Sequence, residues 1–169
     1  MHSFTHLITS FVFGLAYSEV VSVHMSIIEI LLISSAFGVL IDLNQYVGRF
    51  LKRPAKHRRT FCEEWFGIVL VSVPVGGPFY LMNPHWFVIA VGSYALHIVC
   101  DYMTQHHLSP FDPLVHNYFD SRNCSLIFTN NRFRQPKLDR KGLNQDIWTW
   151  SMIALCLLLL VYRAVQHFS

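Results

Sequence analysis

Five residues of the types that ligate metals, His6, Asp42, His57, His97 and Asp101, fall at the ends of long apolar runs. An ionisable group inside a membrane costs about 3 kcal/mol or more, so chains that carry one there usually use it. If the apolar runs cross a bilayer alternately up and down, the ends bearing these five residues come to one face. That constraint predicts a metal site embedded in a membrane protein.

The chain is 53% hydrophobic and 14% charged over 169 residues, too apolar for a soluble domain of that size. A bilayer core of roughly 30 Å calls for about 20 apolar residues per helix. Five runs answer to this, at about Phe4 to Tyr17, Val20 or His24 to Ile41, Trp65 to Met82, Trp86 to Tyr102 and Ile147 to Val165. The expected fold is all-α, a polytopic bundle of about five transmembrane helices forming a single membrane domain over 1–169. Glu29 is the only charge within the second run, where a bond inside the bundle is its expected role, and Asp42 stands at that run's exit. Pro74, Gly76, Gly77 and Pro78 interrupt the third and predict a kink there.

Orientation follows from the cations. Arg49, Lys52, Arg53, Lys56, Arg58 and Arg59 lie between the second and third runs, and Arg122, Arg132, Arg134, Lys137, Arg140 and Lys141 between the fourth and fifth. Only Arg163 lies elsewhere. The positive-inside rule therefore predicts a multi-pass protein of the cytoplasmic (inner) membrane with both connections and the N-terminus in the cytoplasm. On that topology His6, Asp42, His57, His97 and Asp101 all lie toward the cytoplasmic side, and His97 and Asp101, four residues apart, share a helical face. A cleaved signal peptide ending near Ala16-Tyr17-Ser18 is the rival reading of the N-terminus, but no Lys or Arg precedes the first run. Cys62, Cys100, Cys124 and Cys156 are widely spaced and predict no disulfide.

The segment at about 105–146 is too polar to span, yet it interleaves Phe111, Phe119, Ile127, Phe128 and Phe133 with its charges. We expect a structured cytoplasmic loop packed as a lid, with a short hairpin turning at Asn130-Asn131. Its basic and aromatic residues suit the headgroups of membrane lipids, the expected partners, better than nucleic acid. Nothing in the sequence fixes an oligomeric state.

The order of THLITS, GVLIDLN, KHRRTF, HIVCDYMT, SPFDP and RFRQP resembles the YdjM-like family of predicted membrane-bound metal-dependent hydrolases over nearly the whole chain. The resemblance implies a multi-helix inner-membrane protein with a metal site of His and Asp residues, and its hydrolase activity is itself an expectation. Matched position by position, the family's first His is His6, the acid after its second helix is Asp42, and its helix-borne His, Asp and Thr are His97, Asp101 and Thr104. The family's His-Arg-Gly-x-Thr-His-Ser signature starts at His57 and Arg58 but continues Arg59, Thr60, Phe61, Cys62 and Glu63, so Cys62 replaces the second His. His57 owes its functional reading almost wholly to this match.

Imidazole and carboxylate ligands suit a divalent metal ion, zinc or manganese first, and zinc lowers the pKa of its bound water to about 7. The implied catalytic residues are Arg58, stabilising charge on a substrate oxygen, and Glu63 or Glu64 as general base. The leading expectation is a metal-dependent hydrolase of a lipid-associated ester or phosphoester at the cytoplasmic leaflet. Two alternatives stand beside it. One is a non-catalytic family member, supported by Cys62, whose basic loops recruit lipid or a partner. The other is a cation relay through His97, Asp101 and Glu29, which requires those three on one internal path.

Overall fold

The computed structural model describes residues 3–51, 62, 65–102 and 143–168, and among these every regular element is a helix. We number five in chain order: α1 (Ser3–Val20), α2 (Ile27–Phe50), α3 (Trp65–Met82), α4 (Pro84–Tyr102) and α5 (Leu143–Phe168). Their directions alternate. Tyr17, near the end of α1, meets His85 at the start of α4, with Oη and Nδ1 2.9 Å apart. His6, near the start of α1, meets Asp101 at the end of α4. α5 runs parallel to α1 in fixed register, since Thr5 pairs with Thr149 and Glu19 with Arg163, each at a separation of 144 residues.

The corner between α1 and α2 is built from two local motifs. Ser22 takes the left-handed conformation (φ 55°), and the bonds from Val23 N–H to Ser18 O and from Ser22 N–H to Glu19 O complete a Schellman stop. Ser26 and Glu29 then form a capping box. The Ser26 amide donates to Glu29 Oε2 at 2.7 Å, and the Glu29 amide to Ser26 Oγ at 3.1 Å. Helix α2 therefore starts at Ile27, later than the apolar run, and Glu29 lies in its first turn rather than deep in a span. That corrects the bundle-interior role expected for Glu29. At its other end α2 passes Asp42 and continues to Phe50, because no proline occurs before Pro54 and the single Gly48 costs only about 1 kcal/mol. Asp42 is thus inside the helix and not at its exit.

The break in α3 also falls away from the prolines. Residues Ile68–Ser72 form a π turn, closed by the bond from Val73 N–H to Ile68 O, and the α-helix resumes at Val73 through Pro74 and Pro78. Pro74 has no N–H, so Leu70 O loses its α-helical donor, and the widened turn ahead of it absorbs the mismatch. Phe79 packs edge-on against Phe37 of α2 and Trp86 of α4, with centroids 5.8 and 6.4 Å apart, which closes the α3–α4 hairpin onto the bundle.

Leu15, Ile30, Ile89, Tyr94 and Ile98 are fully buried and centre the core on α1, α2 and α4. Helices α3 and α5 flank it. Among the described residues they are also the two that are long and apolar enough to cross a membrane, over Trp65–Met82 and Ile147–Gln166.

Candidate metal centre

The centre starts with small residues. Ser10 and Gly14 on α1 and Ser34 and Gly38 on α2 each stand four apart, so each pair lies on one helical face. Such stripes let helix backbones approach closely. A Cβ on Gly38 would stand 2.7 Å from Ser10 Cβ, and one on Gly14 2.6 Å from the Ile30 side chain. Both are closer than carbon atoms pack.

This contact sets the Gly38 carbonyl against α4, where His97 Nδ1 donates to it at 2.6 Å. A carbonyl only accepts, so Nδ1 carries the proton, and Nε2 of the neutral ring presents a lone pair. That lone pair faces acceptors. Nε2 lies 3.8 Å from Asp42 Oδ1 and 3.8 Å from Asp101 Oδ2, too far for a hydrogen bond to either. The other Asp101 oxygen, Oδ1, is 3.1 Å from His6 Nε2. The two imidazoles stack with centroids 3.6 Å apart and planes inclined by 13°, so the Asp101 carboxylate addresses both rings.

The group is out of contact with solvent: His6 and His97 are each 1% exposed, Asp101 3% and Asp42 7%. Both ring nitrogens of His6, Nε2 of His97 and Oδ2 of Asp42 are buried without a hydrogen-bond partner. Buried polar atoms without partners cost about 1 to 3 kcal/mol each, so four on three neighbouring residues form an unusual concentration. Ligand atoms from His6, His97 and Asp101 all lie within 4.8 Å of one another. Ligands on one tetrahedral zinc stand roughly 3.3 Å apart, given metal–ligand bonds of about 2 Å. The donor set fits a divalent cation in chemistry, at a spacing wider than that of a loaded tetrahedral site, and the two nearly parallel rings would have to turn for both lone pairs to meet one ion. The bond from Nδ1–H to a backbone carbonyl is moreover how metal-binding histidines are commonly oriented.

Of the five residues expected to ligate, the structure brings His6, His97 and Asp101 together, with Asp42 beside His97. His57, Arg58, Glu63 and Glu64 lie outside the described residues, as do Cys124, the Asn130-Asn131 turn and all of the 105–146 loop except its last four residues, which open α5. Cys62 is a free thiol outside the three-residue group, and its carbonyl accepts a bond from Tyr94 Oη. Cys100 and Cys156 are buried thiols. Glu29 caps α2 at the opposite end from the centre, so the internal path required of a His97, Asp101 and Glu29 relay is not there.

Sequence reasoning missed Gly38, whose role is carried by a backbone oxygen, and Ser10, on which the approach of α1 to α2 depends. The available signals were the two small-residue stripes, Ser10-x-x-x-Gly14-x-x-x-Ser18 and Ser34-x-x-x-Gly38. The Ser26-x-x-Glu29 capping signature was legible as well.

Compared with known proteins, residues 1–168 match the family model described as YdjM inner membrane protein. No curated protein and no solved structure matches the chain.

Proposed function

Given that this chain belongs to the YdjM inner membrane protein family, we propose that it is a multi-pass membrane hydrolase that depends on a divalent metal ion. In this reading His6, His97 and Asp101, with Asp42, hold the ion, and the substrate is a lipid-associated ester or phosphoester at the cytoplasmic leaflet. The carrying observation is the His97 ring. Its tautomer is set by Gly38 O, and its free lone pair points between two carboxylate oxygens at 3.8 Å each. Three electron-rich atoms converging in a buried space call for a cation between them.

Zinc or manganese held there supplies Lewis acidity and lowers the pKa of water. The protein's own residues do the rest. Gly38 holds the His97 ring in one tautomer, Asp101 links the two imidazoles, and α1 and α2 close the centre to lipid. Arg58 steadies charge developing on a substrate oxygen, and Glu63 or Glu64 takes the proton, with His57 as a further ligand. The closeness of Cys62 to Tyr94, one turn along α4 from His97, supports placing that segment beside the centre.

The topology we propose is five spans forming a single membrane domain over 1–169, with the N-terminus in the cytoplasm and the 105–146 segment as a cytoplasmic lid. The alternating helix directions support it. So does the charge distribution, which puts the two basic connections at the end of the bundle that holds the His and Asp residues.

Metal analysis of detergent-purified protein tests the reading, comparing wild type with His97→Ala and Asp101→Asn. Bound zinc or manganese lost in both variants is the expected result, and equal metal content in all three proteins overturns it. A second reading is favoured by Cys62, which stands where the family resemblance expects a histidine. In that reading the centre binds metal for structure and the basic loops recruit lipid or a partner. Retained metal with no hydrolysis of lipid esters or phosphoesters would select it.

A further inference from the structure

Arg163 is the one cation outside the two basic connections, and the reading above gives it no task. It lies at the opposite end of the bundle from the His and Asp centre, at the wall of a cavity of about 920 Å³ between the α1–α2 corner and the last turns of α5. Its guanidinium is held at two points. Nε lies 2.9 Å from Glu19 Oε1, and Nη2 donates to Met25 O at 2.7 Å. The remaining nitrogen, Nη1, is buried and has no partner.

We infer that this cavity binds a zwitterionic amino-phosphate group, the phosphate on the Arg163 guanidinium and the ammonium on Glu19, side chains that keep 18% and 24% of their surface exposed. A guanidinium fixed by two contacts, with two of its five N–H donors engaged, is preorganised for an oxygen anion, and phosphate is the anion its fork suits best. The charge balance selects within that class. Arg163 and Glu19 offset one another, so a lone anion on Arg163 gains little net attraction and sits close to a carboxylate. A group carrying both signs matches both residues.

The surroundings suit such a ligand too. Ser22, Ser26, His24 and Gln166 line the cavity with polar groups, and Ile27 and Tyr162, both exposed, give its wall an apolar edge. A phospholipid with an ethanolamine headgroup would place its phosphate and amine in the cavity and lead its acyl chains out past that edge. Soluble phosphoethanolamine offers the same headgroup chemistry without the chains. The site is independent of the metal centre, which lies at the other end of α1, and its failure would leave the hydrolase reading untouched.

The test measures lipid retention by native mass spectrometry on detergent-purified protein, incubated with phosphatidylethanolamine, phosphatidylcholine or phosphatidylglycerol. A parallel arm follows thermal stabilisation by soluble phosphoethanolamine. Wild type is expected to retain phosphatidylethanolamine about tenfold better than phosphatidylglycerol, the scale of one charge-assisted contact. Phosphatidylcholine, whose quaternary amine donates no hydrogen bond, should fall between them. Arg163→Gln and Glu19→Gln should each abolish the preference while bound metal at the other end stays at the wild-type level. Stabilisation by phosphoethanolamine with no lipid preference would assign the site to a soluble ligand of the same chemistry. If wild type shows no preference among the lipids and no response to phosphoethanolamine, the inference is wrong and Arg163 only ties α5 to the corner. That wild-type comparison decides the matter even if a variant does not fold.

Discussion

Helices α1, α2 and α4 differ from α3 and α5 in a way that runs against the usual search for membrane proteins. The second pair passes on length and apolarity, yet among the described residues it supplies none of the four side chains of the candidate metal centre. The first three do not pass and supply all four. Buried polar and charged residues are distributed the same way: Thr5, His6, Thr9, Ser10 and Ser18 on α1, Ser34 and Asp42 on α2, and Ser93, His97 and Asp101 on α4, against Ser72 alone on α3. A helix that builds a polar site gives up the hydropathy by which spans are recognised. Leu157, Leu158, Val161 and Val165 on α5 are exposed because that helix faces outward, and an apolar outer surface is what a lipid-facing helix needs.

If the contrast is correct, substitutions in the inner set should alter metal and stability together, and those in the outer set should alter neither. The largest effect is expected from Asp101→Ala. It removes the carboxylate that addresses both imidazoles, and metal content should fall to background. Persistence of stoichiometric metal in that variant would place the ion elsewhere. Next comes Gly38→Ala, whose new Cβ would overlap Ser10 and force α1 away from α2. Overpacking of this kind costs about 1 to 3 kcal/mol, and here it also shifts the carbonyl that orients His97. Denaturation in detergent should show that loss together with weakened metal binding. Adding Ser10→Gly should recover much of both, whereas additive losses in the double variant would exclude a direct clash. Gly77 on α3 is the matched control, because a Cβ there meets nothing within 4 Å. Gly77→Ala should be neutral or stabilising by up to about 1 kcal/mol, as helix propensity alone dictates.

These positions also mark what could be read from the sequence. His97 and Asp101 were legible because a spacing of four is a helical neighbour relation needing no tertiary information. His6 and Asp42 were legible because helices of alternating direction bring distant run ends to one face. The helix bounds were not, since apolarity reports lipid compatibility while capping and stop motifs fix the ends. Ser22 in a left-handed stop and the Ser26 and Glu29 box moved the start of α2, and the absence of a proline carried it past Asp42. Gly38 was invisible for another reason: its contribution to the centre is a carbonyl oxygen that every residue type has, and only the approach of α1 makes it special.

A third comparison weighs core against surface directly. Ile98 on α4 is fully buried beside His97, and Leu158 on α5 is 67% exposed. Ile98→Ala should cost about 2 to 5 kcal/mol through lost contacts and the cavity left behind, and Leu158→Ala less than about 0.5. Equal losses in the two variants would mean that the outer face of α5 is covered by a second copy of the chain or by a partner, and not by lipid or detergent.

The smallest effect concerns how the outer helix is attached to the inner set. Trp148 Nε1 donates to Thr9 Oγ1 at 3.1 Å, and the Thr5 and Thr149 hydroxyls lie 2.9 Å apart, so both bonds reach α1 at residues flanking His6. Hydrogen bonds between helices in membranes average about 0.6 kcal/mol, because the unpaired groups find other partners. A double-mutant cycle of Thr9→Val and Trp148→Phe should therefore return a coupling of that order in thermal denaturation, with metal content unchanged. A coupling several times larger, or metal lost along with it, would show that α5 holds α1 in place for the centre. Helix α5 would then belong with the inner set despite its apolar surface.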